Sequence, residues 1–507
     1  MKQSSEILLK FISVIFIISF SWIIINAIFL GKDAIFNYSP LFLIFFTIID
    51  INILIIFYKK IIPKIVKYRY LPIILFLIFF GIAVAVSYNL RLYPSWDMGA
   101  VFDVAKAYSE KGYSYNKYLY TYPNNIAITG IFISVFKIFK IFNITDYITG
   151  ITVFNALIVT LTVIILYYAV NKMYGKEKAL MALIISIFTT PLYLYSAVYY
   201  TDTMSMFFCI LSLLIYLFVR DEKNKSENIL LQILFGITLG IGFMVKITSI
   251  FIIIAILVEE LLNMKFKNLI NNFKVAVPVT MLTMIMFNLF SNNIVIADKH
   301  SLNFNKMPLT YWLLTGSIGN GGFNREVYST LRACNTYEER NNTAKKMLIK
   351  VMEEYTVPSF IKHINEKLKF AWGDGTYYAP AKINRQPVNR GELYEYTAYD
   401  GEKTDYYKYF PQTMHISMLI LMVVVVANVL RKRNYKDDDI FLFISVLGIM
   451  VFLIIWENRS RYILTLLPIM LILKVRGIEI LSNIGKNKIL ELNEVNVQNP
   501  RGEDDGK

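Results

Sequence analysis

Two carboxylates, a lysine and a Glu-x-Arg-x-Arg cluster share one property: each sits where an almost uncharged run of residues ends or breaks. Asp97 follows Trp96 in YPSWDMGAVFD (Tyr93–Asp103), and Asp202 lies in YSAVYYTDTMSMFF (Tyr195–Phe208). Lys246 interrupts LGIGFMVKITS (Leu239–Ser249), and Glu457, Arg459 and Arg461 crowd into WENRSRY (Trp456–Tyr462). A carboxylate at such a boundary can take the proton of an attacking hydroxyl as a general base. An ammonium or guanidinium nearby can hold a phosphate, the lysine as a point charge and the arginine through its fork of N–H donors. Ionisable groups set at membrane depth are costly and mark polar cavities.

Each group also has a purely structural reading. Trp96 can anchor the interface while Asp97 caps a helix, Asp202 can cap a turn beside Thr203, and Lys246 can snorkel to the headgroups. Glu457 and Arg461, spaced i, i+4, can form an ordinary helical salt bridge. Asp103 follows Asp97 by six residues, about 240° around a helix, so the two do not share a face.

Other segments offer weaker chemistry. In YTYPNNIAITG (Tyr120–Gly130), Pro123 restricts Tyr122 and opens a helix, while Asn124 and Asn125 bring amides to the membrane edge. TGSIGNGGFN (Thr315–Asn324) lacks the Lys-Ser/Thr ending of a phosphate loop. FAWGDGTYYAP (Phe370–Pro380) mixes aromatic rings with Asp374, which suits sugar rings or a small folded cap. His300, His363 and His415 are too scattered for a metal site, and Cys209 and Cys334 are expected at different depths, giving neither a disulfide nor a metal framework.

The elements that must position these groups are membrane helices. The 507-residue chain is 56% hydrophobic and 15% aromatic, with a mean hydropathy of +0.49. Its apolar residues fall in runs of about 17–25, the length that crosses a hydrocarbon core. The first run, Leu8–Leu30, is too long for a signal-peptide core and reads as a retained anchor. The net charge of +15 sits in short loops such as YKKIIPKIVKYR, NKMYGKEK, RDEKNK, MKFKNLINNFK and RKRNYK. That placement sets orientation and gives no reason to expect a nucleic-acid partner.

Leu8–Leu30, Leu41–Phe57, Leu71–Tyr88, Tyr147–Val170, Ala179–Ser196 and Thr203–Val219 are read as spans, followed by Ile229–Val245, Ile247–Leu262, Val275–Phe290, Met414–Leu430, Ile440–Ile455 and Tyr462–Leu473. These make an all-α polytopic membrane protein of about 12 transmembrane helices. Asn124–Phe142 is expected to lie in or dip into the outer leaflet, since counting it as a span would put a basic loop outside. Both termini are expected inside, with Asp97 on the extracytoplasmic face. The expected organisation is a membrane region over 1–290 with an outer loop at 91–146, an extracytoplasmic insert at 291–413, final helices at 414–476 and a polar tail at 477–507. The tail is expected to be disordered after Asn487.

The order of these motifs along the chain resembles the GT-C superfamily of membrane glycosyltransferases, with the closest look to bacterial relatives of protein O-mannosyltransferases and lipid A aminoarabinose transferases. The resemblance covers roughly Trp96 to Leu473 and implies a GT-C-like fold with juxtamembrane helices on the outer face. It implies transfer of a sugar, with inversion, from a polyprenyl-phosphate donor to a glycan or cell-wall polymer. In those terms Asp97 is the general base and Asp202 a second catalytic carboxylate, able to hold the acceptor or a divalent metal. No cofactor is otherwise implied. Lys246, Arg459 and Arg461 contact the donor phosphate, and Trp96, Tyr122, Asn124, Asn125 and Glu457 line the substrate site. The chain lacks the adjacent Asp-Glu pair of protein mannosyltransferases, having Asp97-Met98, and carries two extra early spans. A transporter or flippase of lipid-linked saccharides would reuse the same cations, as would a polysaccharide polymerase or ligase acting on a lipid diphosphate. The Ile-, Lys- and Asn-rich composition suits a low-GC bacterium, with undecaprenyl phosphate as carrier.

Overall fold

A single segment in hydrocarbon satisfies its own backbone hydrogen bonds by forming a helix, and the apolar runs do so throughout. The computed structural model describes residues 2–29, 36–112, 114, 117–263, 265–295, 304–432 and 438–498. Among these residues the secondary structure is helical, and the extended pairing is confined to one bridge between Leu92 and Pro387. His300, part of the RKRNYK loop and the residues after Gln498 lie outside the described residues.

Nine helices among the described residues are long and apolar enough to cross a membrane. A tenth forms if Lys176–Phe188 and Thr190–Ser196, bent by 61°, count as one span. The twelve expected spans are therefore not all present as single long helices. The run expected over Ile247–Leu262 opens with the 3-10 turn Ile247–Ile250 and leaves a helix of 12 residues, Phe251–Leu262. Asp439–Ile455 reaches 17 residues. Tyr462–Leu473 is divided between the 3-10 segment Ser460–Leu466 and the helix Leu467–Gln498. Conversely, Pro123–Ile141, expected to lie along one leaflet, has the length and composition of a span. Two of the interruptions have one physical cause: they fall beside Lys246 and Arg461, charged side chains that a straight apolar helix could not aim inward at tolerable cost. The helix Leu467–Gln498 also continues past Asn487, where disorder was expected.

The helix Thr201–Asp221 packs between Tyr147–Tyr174 and Lys225–Val245, while Thr404–Lys432 packs on Leu467–Gln498 and Lys2–Ile28. At one end of this bundle the helix Trp96–Lys111 lies against Ile126–Ile141, with Phe102 edge-on to Phe136 at 5.2 Å. Lys137 sits over the Tyr108 ring at 5.3 Å, so the charged face of the second helix also packs against the first.

The long polar region splits into two packing units. Met307, Tyr311, Leu314, Val327, Leu331 and Ala344 form a small core of their own. The buried Arg340 guanidinium staples it by donating to the carbonyls of Leu331, Phe304, Lys306 and Cys334. Residues 357–403 instead join the main core through Trp372, Tyr377 and Tyr394. There the Gln412 side chain accepts from the Gly375 amide at 2.7 Å and donates to the Gly373 carbonyl at 2.7 Å. A Cβ on Gly375 would lie 2.6 Å from the Pro411 carbonyl oxygen, so only glycine permits this approach.

The glycine-rich loop is a brace. A Cβ on Gly316 would sit 2.6 Å from the Trp456 carbonyl carbon. The buried Lys367 ammonium donates to the carbonyls of Gly316 and Trp456. The backbone N–H of Asn458 donates to the Gly321 carbonyl at 2.7 Å. The loop thereby holds the turn that carries Glu457, Arg459 and Arg461.

Candidate active site

Asp202 opens the helix Thr201–Asp221, after Tyr200 in extended backbone. The turn before it is held by Asn155, buried in the helix Tyr147–Tyr174. The Asn155 amide donates to the carbonyls of Tyr195 and Ser196 at 2.8 and 2.9 Å and accepts from the Thr203 hydroxyl at 2.7 Å. So fixed, Asp202 is only 1% exposed. Its two oxygens are both engaged: Lys246 Nζ lies 2.5 Å from Oδ1 and Arg461 Nη1 lies 3.0 Å from Oδ2.

Lys246 reaches this point because the helix Lys225–Val245 stops there and the backbone turns extended, with φ −163° and ψ 121°. Arg459 is likewise extended, at φ −171° and ψ 150°, immediately before the 3-10 segment that carries Arg461. Besides Asp202, Lys246 and Arg461, the same three segments share a knot of hydroxyls. Thr465 Oγ1 lies 2.8 Å from both Ser205 Oγ and Thr248 Oγ1, all three being buried. The charges are thus seated on a polar, fully buried joint.

Asp97 lies in the first turn of the helix Trp96–Lys111 and is partly exposed. It forms no ion pair among the described residues, yet it lies close enough to act electrostatically on Tyr118, Tyr200, Lys382 and Arg461. Tyr118 is hydrogen-bonded to it, and burial, with the Tyr200 hydroxyl and the Asp97 carboxylate nearby, pushes the Tyr118 hydroxyl well above the usual phenol range. Asn125 ties these groups together, donating to Tyr118 Oη at 2.7 Å and accepting from Tyr200 Oη at 2.7 Å. Asp103 is exposed and takes no part.

The other expected site residues divide. Tyr122 packs in an aromatic group with Tyr118 at 5.2 Å and Tyr328 at 6.5 Å, within the electrostatic reach of Asp97. Asn124 is exposed and shares none of the Asn125 hydrogen bonds. The i, i+4 salt bridge between Glu457 and Arg461 does not form, because Trp456–Arg459 is not helical and Arg461 turns to Asp202. Glu457 accepts instead from Tyr462 Oη at 2.8 Å, and burial raises it above the usual carboxylate range. Arg459 stacks on Tyr378 at 4.5 Å.

Between the two arginines, Ser460 donates to Asp374 Oδ2 at 3.0 Å. Asp374 also accepts from Thr376 N, Thr376 Oγ1 and Tyr378 N at 2.8, 2.5 and 2.7 Å. The carboxylate is buried, which raises it above the ordinary range despite these bonds. No group of three or more His, Cys, Asp or Glu side chains among the described residues could hold a metal ion.

Sequence reasoning missed Lys382 and Arg385, which flank the Trp96 ring at 4.4 and 4.9 Å. They follow FAWGDGTYYAP in AKINR, Lys382 within the short helix Ala379–Ile383 and Arg385 just past its C-terminal end. Lys382 is 3% exposed, and burial, with the Arg461 and Arg385 guanidiniums, pulls it well below the ordinary lysine range.

A family model described as "conserved hypothetical integral membrane protein" matches residues 1–479. No curated protein matches the chain. Among solved structures, the chain is similar to ArnT from Cupriavidus metallidurans bound to undecaprenyl phosphate. That match has 12% identity and a TM-score of 0.33, and covers 81% of this chain and 78% of the other. It is also similar to the apo oligosaccharyltransferase of Archaeoglobus fulgidus, with 12% identity and a TM-score of 0.42 over 86% of this chain. The chain spans about half of that enzyme, 53% of its length. Both are distant likenesses.

Proposed function

Since the chain belongs to this family of conserved hypothetical integral membrane proteins, we propose that it acts in the membrane as a glycosyltransferase. It moves a sugar from a polyprenyl-phosphate donor to an acceptor hydroxyl at the outer face of the cell membrane, with both termini inside. The observation that carries this reading is the division of labour between two carboxylates. Asp202 has both oxygens occupied by cations, whereas Asp97 is partly exposed and free of any ion pair among the described residues.

Asp97 is the general base. It accepts the acceptor O–H proton as that oxygen bonds to the anomeric carbon and the bond from that carbon to the phosphate oxygen breaks. The electron pair leaves with the polyprenyl phosphate, whose growing charge is met by Arg461, Lys246 and Arg459. A single displacement of this kind inverts the anomeric centre. Asp202, expected among the catalytic groups, here positions Lys246 and Arg461, and with both oxygens taken it is a poor metal ligand. Trp96, Tyr122, Asn125 and Glu457 line the substrate space, and the 91–146 and 291–413 segments roof it. A glycan or cell-wall polymer is the acceptor this reading favours.

The test uses purified protein in lipid nanodiscs with radiolabelled polyprenyl-phosphate hexoses and crude wall polymer. Asp97→Asn is expected to lower transfer by about 100-fold or more while donor binding persists. Donor binding with no turnover in either protein would replace the enzyme by a transporter of lipid-linked saccharides.

A further inference from the structure

A lysine buried without an acidic partner is an expensive feature, because desolvation penalises the ammonium and nothing repays it. Lys382 is in that position: it is 3% exposed and has no ion pair or hydrogen-bond acceptor among the described residues, only the face of Trp96 at 4.4 Å. Its surroundings repeat the deficit. The Trp96 indole N–H, the Ser95 hydroxyl and Arg461 Nε are each buried with no partner among the described residues. Ser95 precedes Trp96, Lys382 lies on the Trp96 ring, and Arg461 is within electrostatic reach of Lys382.

The two cations already expected to hold phosphate are in a different state. Lys246 and Arg461 share Asp202, so one negative charge is present for their two positive ones. Lys382, once protonated, adds a third positive charge, and Arg385 stands at the exposed side of the same ring. The backbone supports the arrangement. Trp96 holds a φ of 44°, left-handed for a bulky residue, and this conformation sets the indole under Lys382.

We propose that Lys382 is a phosphate-binding residue, receiving the phosphate of the lipid-linked donor together with Arg461 Nε and the Trp96 indole N–H. This rests on the donor class proposed above. The Asp202–Lys246–Arg461 group then orients Arg461, and Lys382 provides the charge that no carboxylate of the protein has neutralised. The surrounding charged groups favour an anion: Arg461 and Arg385 repel a further positive charge on Lys382, Asp97 and Asp202, from two other helices, offset this only in part, and an arriving phosphate supplies the negative charge that the ammonium lacks. The same chemistry would accept inorganic phosphate, so lipid and free phosphate must be compared.

The experiment measures binding of radiolabelled undecaprenyl phosphate to purified full-length protein in nanodiscs, for wild type, Lys382→Met and Lys382→Arg. Thermal stability is followed with and without the lipid. Lys382→Met is expected to weaken binding at least tenfold and to lose the thermal shift that lipid gives the wild type. It should not lower the stability of the lipid-free protein, since an uncompensated buried charge is removed. Lys382→Arg should restore part of the affinity. Trp96 fluorescence should change on lipid binding in the wild type and not in Lys382→Met. Inorganic phosphate displacing the lipid only at far higher concentration would support a lipid headgroup site. Free phosphate that binds tightly without competing with the lipid would overturn it. Equal lipid binding by wild type and Lys382→Met overturns the role of Lys382 and leaves the donor reading intact. A wild type that binds no polyprenyl phosphate overturns the donor reading itself.

Discussion

Lys246 Nζ and Asp202 Oδ1 lie 2.5 Å apart, Asp202 at the start of one helix and Lys246 just past the end of another, and Arg461 closes the other side of the same carboxylate at 3.0 Å. Removing the carboxylate strands two buried cations, whereas removing either cation leaves the other to balance Asp202. Asp202→Asn should therefore cost about 3–5 kcal/mol of stability, the usual result of breaking a buried pair from one side. Lys246→Met should cost clearly less. Thermal unfolding of both variants checks the order, and equal losses would contradict the shared-charge account.

Thr465 is expected to matter more than its small side chain suggests. Thr465→Val leaves the hydroxyls of Ser205 and Thr248 without this partner, at a cost of about 1–3 kcal/mol. Because Thr465 follows Arg461 by four residues, transfer should fall with stability, and Thr465→Ser should recover most of both. Melting temperature and turnover measured on the same preparations decide it.

Lys367 gives a pH signature. Burial pulls its ammonium down to about 8 from the ordinary lysine value of 10.5. Between those values the unfolded chain holds the proton that the folded protein has released, so this group makes stability rise with pH through that window. Below pH 8 both states are protonated and the full penalty is present. Chemical denaturation at pH 7.5 and 9.5 should show the rise in the wild type and a smaller one in Lys367→Met.

Asp103 provides the control for Asp97. It is exposed on the same helix and meets none of the groups around Asp97. Asp103→Asn should keep wild-type transfer within about twofold, and its stability should move by no more than about 0.5 kcal/mol, as surface changes do. A loss matching that of Asp97→Asn would point to bulk surface charge as the cause of both.

Gly375→Ala tests the seating of the Asp374 loop. The new methyl would meet the Pro411 carbonyl at 2.6 Å, and backbone cannot swing aside as a side chain can. A loss of about 1–3 kcal/mol is expected, with weaker donor binding, because Asp374 ties this loop to Ser460 between the two arginines.

Composition and run length determined that this chain is a bundle of membrane helices, because crossing hydrocarbon demands apolar residues for the whole length of a span. Charge interrupting those runs likewise marked Asp97, Asp202, Lys246 and the Arg459–Arg461 turn before any fold was known. The sequence could not say which charges meet. Glu457 and Arg461 carry the spacing of a helical pair, yet the backbone from Trp456 to Arg459 is not helical and Arg461 reaches Asp202, 259 residues away. Lys382 gave still less sign of itself, being one lysine among 52 basic residues. Its burial under the folded polar segment, against Trp96, exists only once distant parts of the chain pack together. Hydrophobic periodicity is a local property and can be read along the chain. The partner of a buried charge is fixed by three-dimensional packing, since the cost of desolvation depends on every group that surrounds it.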